Sequence, residues 1–240
     1  DVQRFVDYGK PFKGLMTKAF AFVLKNKECN EHSLVYSFAN NPKSIINFQC
    51  SAESIDVIQH VYEKPHINLA HRADWGLGIV TGNNDKFLTR HPKNGFLQVF
   101  KGSDIGKKVV NNSNYFIPSD LTLYQQVAPI ELYQASVKLI YKFISSDLCF
   151  FCDTEQRFIL NSANMLIPHK NLPLSAIQLC DLLNSDFMNW LFKNLFKTHK
   201  VLRSDLESLP IHAAYFEKYP EFTEKTFLEF LSIERVNDGT

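Results

Sequence analysis

The period of the apolar positions changes several times along the chain, and each change predicts an element. In 20–24, Phe20, Phe22 and Leu24 alternate with Ala21 and Val23, so both faces of a strand there are apolar. Such a strand needs cover on both sides, and the short piece before it, a turn-like 12–14, offers none. Strands are also expected at 34–38 and 45–49, separated by the turn Asn40-Asn41-Pro42-Lys43. Ser51 reads as a helix N-cap, Ile55, Ile58 and Tyr62 follow at helical spacing, and Pro65 ends the segment. From 66 to 100 the chain reads as loop-rich, with Gly76, Gly78 and Gly82 close together and a short strand at 97–100. A helix is expected within 126–135, interrupted early by Pro129. Runs at 138–144, 148–152, 157–161 and 164–167 read as strands separated by turns. The longest helical pattern is 175–196, where Ile177, Leu179, Leu182, Leu183, Phe187, Trp190, Leu191 and Leu195 form a broad apolar face. Short helices around Pro220 are expected in 213–235. The sum is a mixed α/β (α+β) domain: a mixed, largely antiparallel sheet, a long helix near 175–196 and a helical C-terminal tail.

Composition narrows the class. Of 240 residues 45% are hydrophobic and 13% aromatic, including 21 Phe, which is a globular chain able to bury a core. No apolar run reaches roughly 18 residues, so no membrane-spanning helix is expected. Five cysteines, an odd number, argue against a disulfide framework and for a reducing, cytoplasmic compartment. The chain opens Asp1-Val2-Gln3, without Met or a signal-peptide pattern, and is expected to be part of a longer protein.

The formal charge of +1 hides an uneven distribution. Residues 86–108 carry six Lys and Arg against the single acid Asp104, 193–203 carry four and no acid, and 205–240 hold eight acids against three bases. Two basic stretches in a near-neutral chain suit a one-sided electrostatic face; solvated loops are the plainer explanation of either alone.

Catalytic signatures are absent. None of the 25 acids is followed two residues later by Lys, the spacing with which common metal-dependent nucleases grip a phosphate. There is no Gly-x-Ser-x-Gly elbow, no Gly-x-x-x-x-Gly-Lys phosphate loop, and no Asn-Pro-Pro-aromatic tetrapeptide of the kind that holds an amino group for methyl transfer. Cys149-Phe150-Phe151-Cys152 has the gap of a zinc knuckle but lacks a second pair, so buried free thiols are expected. Gly78-Ile79-Val80-Thr81-Gly82-Asn83-Asn84-Asp85-Lys86-Phe87 is more informative. Its glycines and amides suit close approach to a phosphate or base edge, and Asn pairs bidentately with adenine in the major groove. A pair of tight turns with left-handed Asn explains it equally well. Lys101-Gly102-Ser103 and the basic segment 197–203 offer two further donor-rich turns.

Six segments in order resemble one family: Gly78 to Phe87, Lys101-Gly102-Ser103-Asp104-Ile105, Lys138-Leu139-Ile140-Tyr141-Lys142, Asn161-Ser162-Ala163-Asn164-Met165-Leu166-Ile167-Pro168, Leu182-Leu183-Asn184-Ser185-Asp186-Phe187, and 202–211. Together they are similar to the TaqI-like C-terminal specificity domain of bacterial adenine-N6 DNA methyltransferases, including fused type IIG restriction–modification enzymes, over roughly 66–211. The resemblance implies that 1–50 is the tail of a truncated methyltransferase domain plus a linker, and 51–240 the target-recognition domain. It implies double-stranded DNA and the methyltransferase domain of the same polypeptide as partners, and no membrane. It also implies S-adenosylmethionine bound outside this chain, no cofactor or metal within it, and neither methylation nor cleavage by this chain alone. Phosphate contacts are then expected from Lys86, Lys101, Lys138, Lys142, Lys197, Lys200 and Arg203, with Thr81, Gly82, Asn83, Asn84 and Ser103 facing DNA and the asparagines reading bases. The alternative is a protein-interaction or regulatory domain without DNA affinity, suggested by the near-neutral charge, the aromatic content and the acidic tail.

Overall fold

The structure, a computed structural model, describes residues 2–14, 19–26, 52–196 and 198–234. The strands expected at 34–38 and 45–49, their turn and the Ser51 cap lie outside them. The chain is a mixed α/β assembly. Strand β1 (Val2–Asp7) pairs antiparallel with β2 (Phe20–Leu24). Among the described residues β2 has no second neighbour, and Phe22 and Leu24 are 57% and 63% exposed.

Helix α1 (Ala52–Glu63) leads to the central sheet, whose strands are β3 (Ala73–Leu77), β8 (Lys138–Lys142), β9 (Phe150–Asp153) and β11 (Ala163–Pro168). Their order is β3-β11-β8-β9, all antiparallel. Successive side chains of a strand point to opposite faces, and here each face meets its own core. Leu139, Tyr141, Phe150 and Leu166 enter the larger cluster, while Ile140, Ala163 and Met165 enter the other. A sheet covered on both sides explains why β8 carries a continuous apolar run between its two lysines.

The second core lies under β4 (Phe96–Phe100), which pairs antiparallel with β7 (Tyr115–Pro118) and parallel with β10 (Phe158–Ile159). Between β4 and β7 the short β5 (Ile105–Gly106) and β6 (Val109–Val110) form a hairpin. The segment read as loop-rich thus contains β3 as well as helix α2 (Asn84–Phe87). In β3 a glycine interrupts the pattern because a Cβ on Gly76 would sit 2.6 Å from the Met165 methyl of β11. The helix expected within 126–135 shortens to α3 (Ile130–Tyr133), which starts directly after Pro129.

The helical stretch at 175–196 is present as two helices, α4 (Ala176–Leu183) and α5 (Asp186–Phe196). Ser175 and Gln178 form a capping box at the start. The break is set by buried Asn184. Its amide accepts from Phe150 N–H and donates to the carbonyls of Phe150 and Cys180, each at 2.9 Å. Asn189 Oδ1 likewise accepts from Leu148 N–H at 2.7 Å, so two amides pin the helix pair to β9 and the residues before it. After α6 (Arg203–Leu206), the tail forms α7 (Ala214–Lys218) and α8 (Glu224–Leu231) around Pro220. The Glu224 carboxylate accepts from the N–H groups of Asp186 and Phe187, capping α5 from the tail.

Candidate nucleic-acid interface

Four of the six family-like segments meet at one place, the turn 160–163 between β10 and β11. Gly78 N–H donates to Ala163 O and Asn164 Oδ1, and Asn161 N–H to Ile79 O. Gly102 N–H donates to Ser162 Oγ at 2.8 Å, and Leu160 N–H to Phe100 O at 2.8 Å. Phe143 N–H, just past β8, donates to Ser162 O, and Phe143 O in turn accepts from Val201 N–H. The segments carrying Lys101, Lys142 and Lys200 are therefore gathered around one end of the central sheet. The glycines are there for backbone-to-backbone contact. A Cβ on Gly78 or on Gly102 would lie 2.3 Å from the carbonyl oxygen of Leu160 or Ser162. Gly102→Ala is accordingly expected to cost about 1–3 kcal/mol of stability, since the Ser162 carbonyl is backbone and cannot swing away. A thermal melt checks this; an unaltered midpoint would mean the junction is looser than described.

The loop 81–87 is organised by its own side chains. Buried Thr81 donates its hydroxyl to Asn84 Oδ1 at 2.7 Å. Gly82 takes the left-handed conformation at φ +78, while Asn83 is extended and caps α2 by accepting from Lys86 N–H at 3.0 Å. Both asparagine oxygens are thus engaged locally, and bidentate pairing with adenine needs an acceptor as well as a donor. Asn83 and Asn84 retain exposed NH2 groups as donors.

The basic stretch at 86–108 divides into two sets. Lys107 and Lys108 lie 3.4 and 2.7 Å from the carboxylates of Asp186 and Asp181. Lys86, Arg90, Lys93 and Lys101 form no ion pair among the described residues; each lies over an aromatic ring instead, at 4.8 Å for Lys86 over Phe87 and 5.6 Å for Lys93 over Phe96. Ser103 is exposed beside Asp104, to which its hydroxyl donates. Lys200 is exposed above Phe143. Arg203 lies over Trp75, and its Nε donates to Glu207 at 2.8 Å, so its charge is largely compensated. Lys142 is half-buried, and Lys197 lies outside the described residues.

Lys138 requires a correction. It is fully buried, with Nζ 2.6 Å from Asp153 Oδ2 and 2.7 Å from Tyr133 O. Burial lowers the ammonium pKa and the Asp153 carboxylate opposes this. No phosphate reaches it; its partner stands directly opposite on β9.

The structure adds residues that sequence reasoning did not single out. Arg90 and Lys101 converge on Tyr115. Exposed Asn111 and Asn112 follow β6, and among the described residues neither side-chain amide has an internal partner. They line a polar cleft of about 440 Å³ with Gln98, Gln156 and Arg157. Among the described residues no cluster of cysteine, histidine and carboxylate side chains suits a metal: Cys149 is buried with Sγ 3.6 Å from Ile105 O, and burial pushes the Cys180 thiol up to about 12.

Comparison with known proteins places this geometry in context. The type II methyltransferase M.VspI of Vibrio sp. (strain 343) is 44% identical over 117 residues, which cover 43% of this chain and 28% of that protein. The chain therefore spans well under half of this relative's length. The HsdS subunit from Thermoanaerobacter tengcongensis aligns over 77% of this chain and 46% of its own at 13% identity, with a TM-score of 0.39, a likeness too loose to carry an argument. The family model of the TaqI-like C-terminal specificity domain matches residues 97–211, which include β4 to β11, helices α4 to α6 and the junction turn. Residues 97–211 of the chain thus resemble a TaqI-like C-terminal specificity domain.

Proposed function

We propose that the chain is the DNA-recognition part of a restriction–modification methyltransferase, and that it positions duplex DNA for a methyltransferase domain of the same polypeptide. The carrying observation is the specificity-domain match over 97–211, around whose junction turn lie cations that form no ion pair among the described residues. The finer reading is an adenine-N6 methyltransferase of type II, with S-adenosylmethionine held outside this chain and the target base flipped from the duplex. The exposed apolar strand β2 supports a protein contact at the N-terminal hairpin, as an adjoining domain requires.

Phosphate contacts position such a domain and base contacts specify the site. Among the described residues Asn111 and Asn112 keep both ends of their amides free, so they are better placed for bidentate readout than Asn83 and Asn84. The test is selection of duplexes from a randomised pool by the full-length protein. Asn112→Ala is expected to relax one position of the recovered motif, a loss of about 1–3 kcal/mol in discrimination. Asn84→Ala is expected to lower the melting temperature more than it alters the motif. A wild-type protein that recovers no motif would remove the recognition reading.

A further inference from the structure

We propose that Arg90, Lys101 and Tyr115 form an anion site that holds one backbone phosphate of the bound duplex, a subsite that rests on the DNA-recognition reading. The three residues come from separate segments fixed to one small sheet. Thr89, beside Arg90, exchanges two backbone hydrogen bonds with Phe116 of β7, at 3.0 and 2.9 Å. Lys101 directly follows β4, where its N–H donates to Asp104 Oδ2 at 2.8 Å and the next residue is anchored to Ser162. Tyr115 opens β7 beside buried Ser113, whose hydroxyl donates to Val99 O at 2.7 Å.

On this frame two cations meet at one phenol. Lys101 Nζ lies 3.5 Å from the centroid of the Tyr115 ring, and Arg90 Nη2 donates to the Tyr115 hydroxyl at 3.3 Å, its guanidinium carbon 5.3 Å from the same centroid. Like charges brought this close repel, and one ring quadrupole answers only part of that repulsion. A carboxylate would answer the rest, yet neither cation forms an ion pair among the described residues. The nearest acid in sequence, Asp104, is taken up by Lys101 N–H and the Ser103 hydroxyl. Contact with the Lys101 ammonium, and then the charge of Arg90, hold the phenol below its ordinary pKa, which reflects the same unbalanced positive field. The Tyr115 hydroxyl accepts from Arg90 and keeps its own hydrogen to donate. A guanidinium, an ammonium and a phenol therefore present donors to one point at the surface, the donor set of a phosphate site. Exposed Asn114 stands next to Tyr115, and Asn111 and Asn112 lie in the same connection, so a phosphate held here brings base edges towards those amides.

The test measures the affinity of the full-length protein for a non-cognate duplex over a series of chloride concentrations. Arg90→Ala and Lys101→Ala should each weaken binding to every sequence alike and flatten the plot of log Kobs against log salt by about one unit. Tyr115→Phe, which keeps the ring and loses the hydroxyl, should weaken binding severalfold with the slope unchanged. Lys108→Ala, whose partner is Asp181, should do neither, and melts of all four variants identify any that misfold. A steep wild-type slope that Arg90→Ala and Lys101→Ala leave intact would overturn the site and leave the recognition reading standing. A wild-type affinity indifferent to salt would overturn both. Inorganic phosphate should compete no better than chloride of equal ionic strength; stronger competition, lost in Arg90→Ala, would make this a site for free phosphate and overturn its assignment to the duplex.

Discussion

Replacing Asp153 with alanine is expected to lower the unfolding free energy by about 3–5 kcal/mol, the range for breaking a buried ion pair from one side. Asp153 is fully buried. Its Oδ2 accepts from Lys138 Nζ at 2.6 Å and Arg157 N–H at 2.9 Å, and its Oδ1 accepts from Arg157 Nη1 at 2.6 Å. Without the carboxylate, the Lys138 ammonium keeps, among the described residues, only the carbonyl of Tyr133 in a buried site. Removing both charges, as in Lys138→Met with Asp153→Leu, should cost less than Asp153→Ala alone, because no unpaired ion remains. Burial alone would raise the Asp153 pKa, but the hydrogen bonds from Lys138 and Arg157 outweigh it and hold the carboxyl below its ordinary value. The Asp153 carboxylate therefore contributes stability above the ordinary carboxylate pKa and loses it as pH falls through the lowered one. Urea unfolding at neutral pH checks the magnitude; a loss under about 1 kcal/mol, the level of an exposed pair, would contradict the buried geometry.

His212 should make the fold sensitive to mild acid. Its Nδ1–H donates to Pro65 O at 3.1 Å, which leaves Nε2 unprotonated, buried and without a partner among the described residues. Burial pushes its pKa down to about 4 from 6.5. Between those values the unfolded chain takes up a proton that the folded chain refuses. Stability is then complete above pH 6.5 and falls by about 1.4 kcal/mol per unit below it, for a total of about 3 kcal/mol. Unfolding midpoints of the wild type and His212→Leu across that interval provide the check. The variant should lose most of the slope; parallel curves would show that His212 is not held neutral in the core.

The elements that were legible in the sequence are those whose pattern is set locally. Short apolar runs bounded by turns located β8, β9 and β11, and helical spacing located α1 and the stretch holding α4 and α5. The break at Asn184 was hidden because the apolar face continues through Leu183 to Phe187, and the break depends on a long-range amide contact with Phe150. Strand β3 was obscured by Gly76, whose reason lies in Met165 across the sheet. The candidate site divides in the same way. A surplus of positive charge at 86–108 can be read from composition, but which cations are neutralised cannot, because Lys107 and Lys108 find their acids on α4 and α5. Lys138 and Lys142 share a strand face and a residue type, and only the Asp153 partner across β9 separates a structural ion from a surface one. Arg90 and Tyr115 are 25 residues apart and gave no common signal.

On the proposed function, this chain meets DNA with the edge formed around β4, β7 and the junction turn. Lysine acetylation of the full-length protein, with and without a duplex and read by mass spectrometry, tests it most directly. Duplex should protect Lys86, Lys93 and Lys101, while Lys218 and Lys225 of the acidic tail react equally in both states. Protection confined to the tail lysines, or none at the first three, would contradict it.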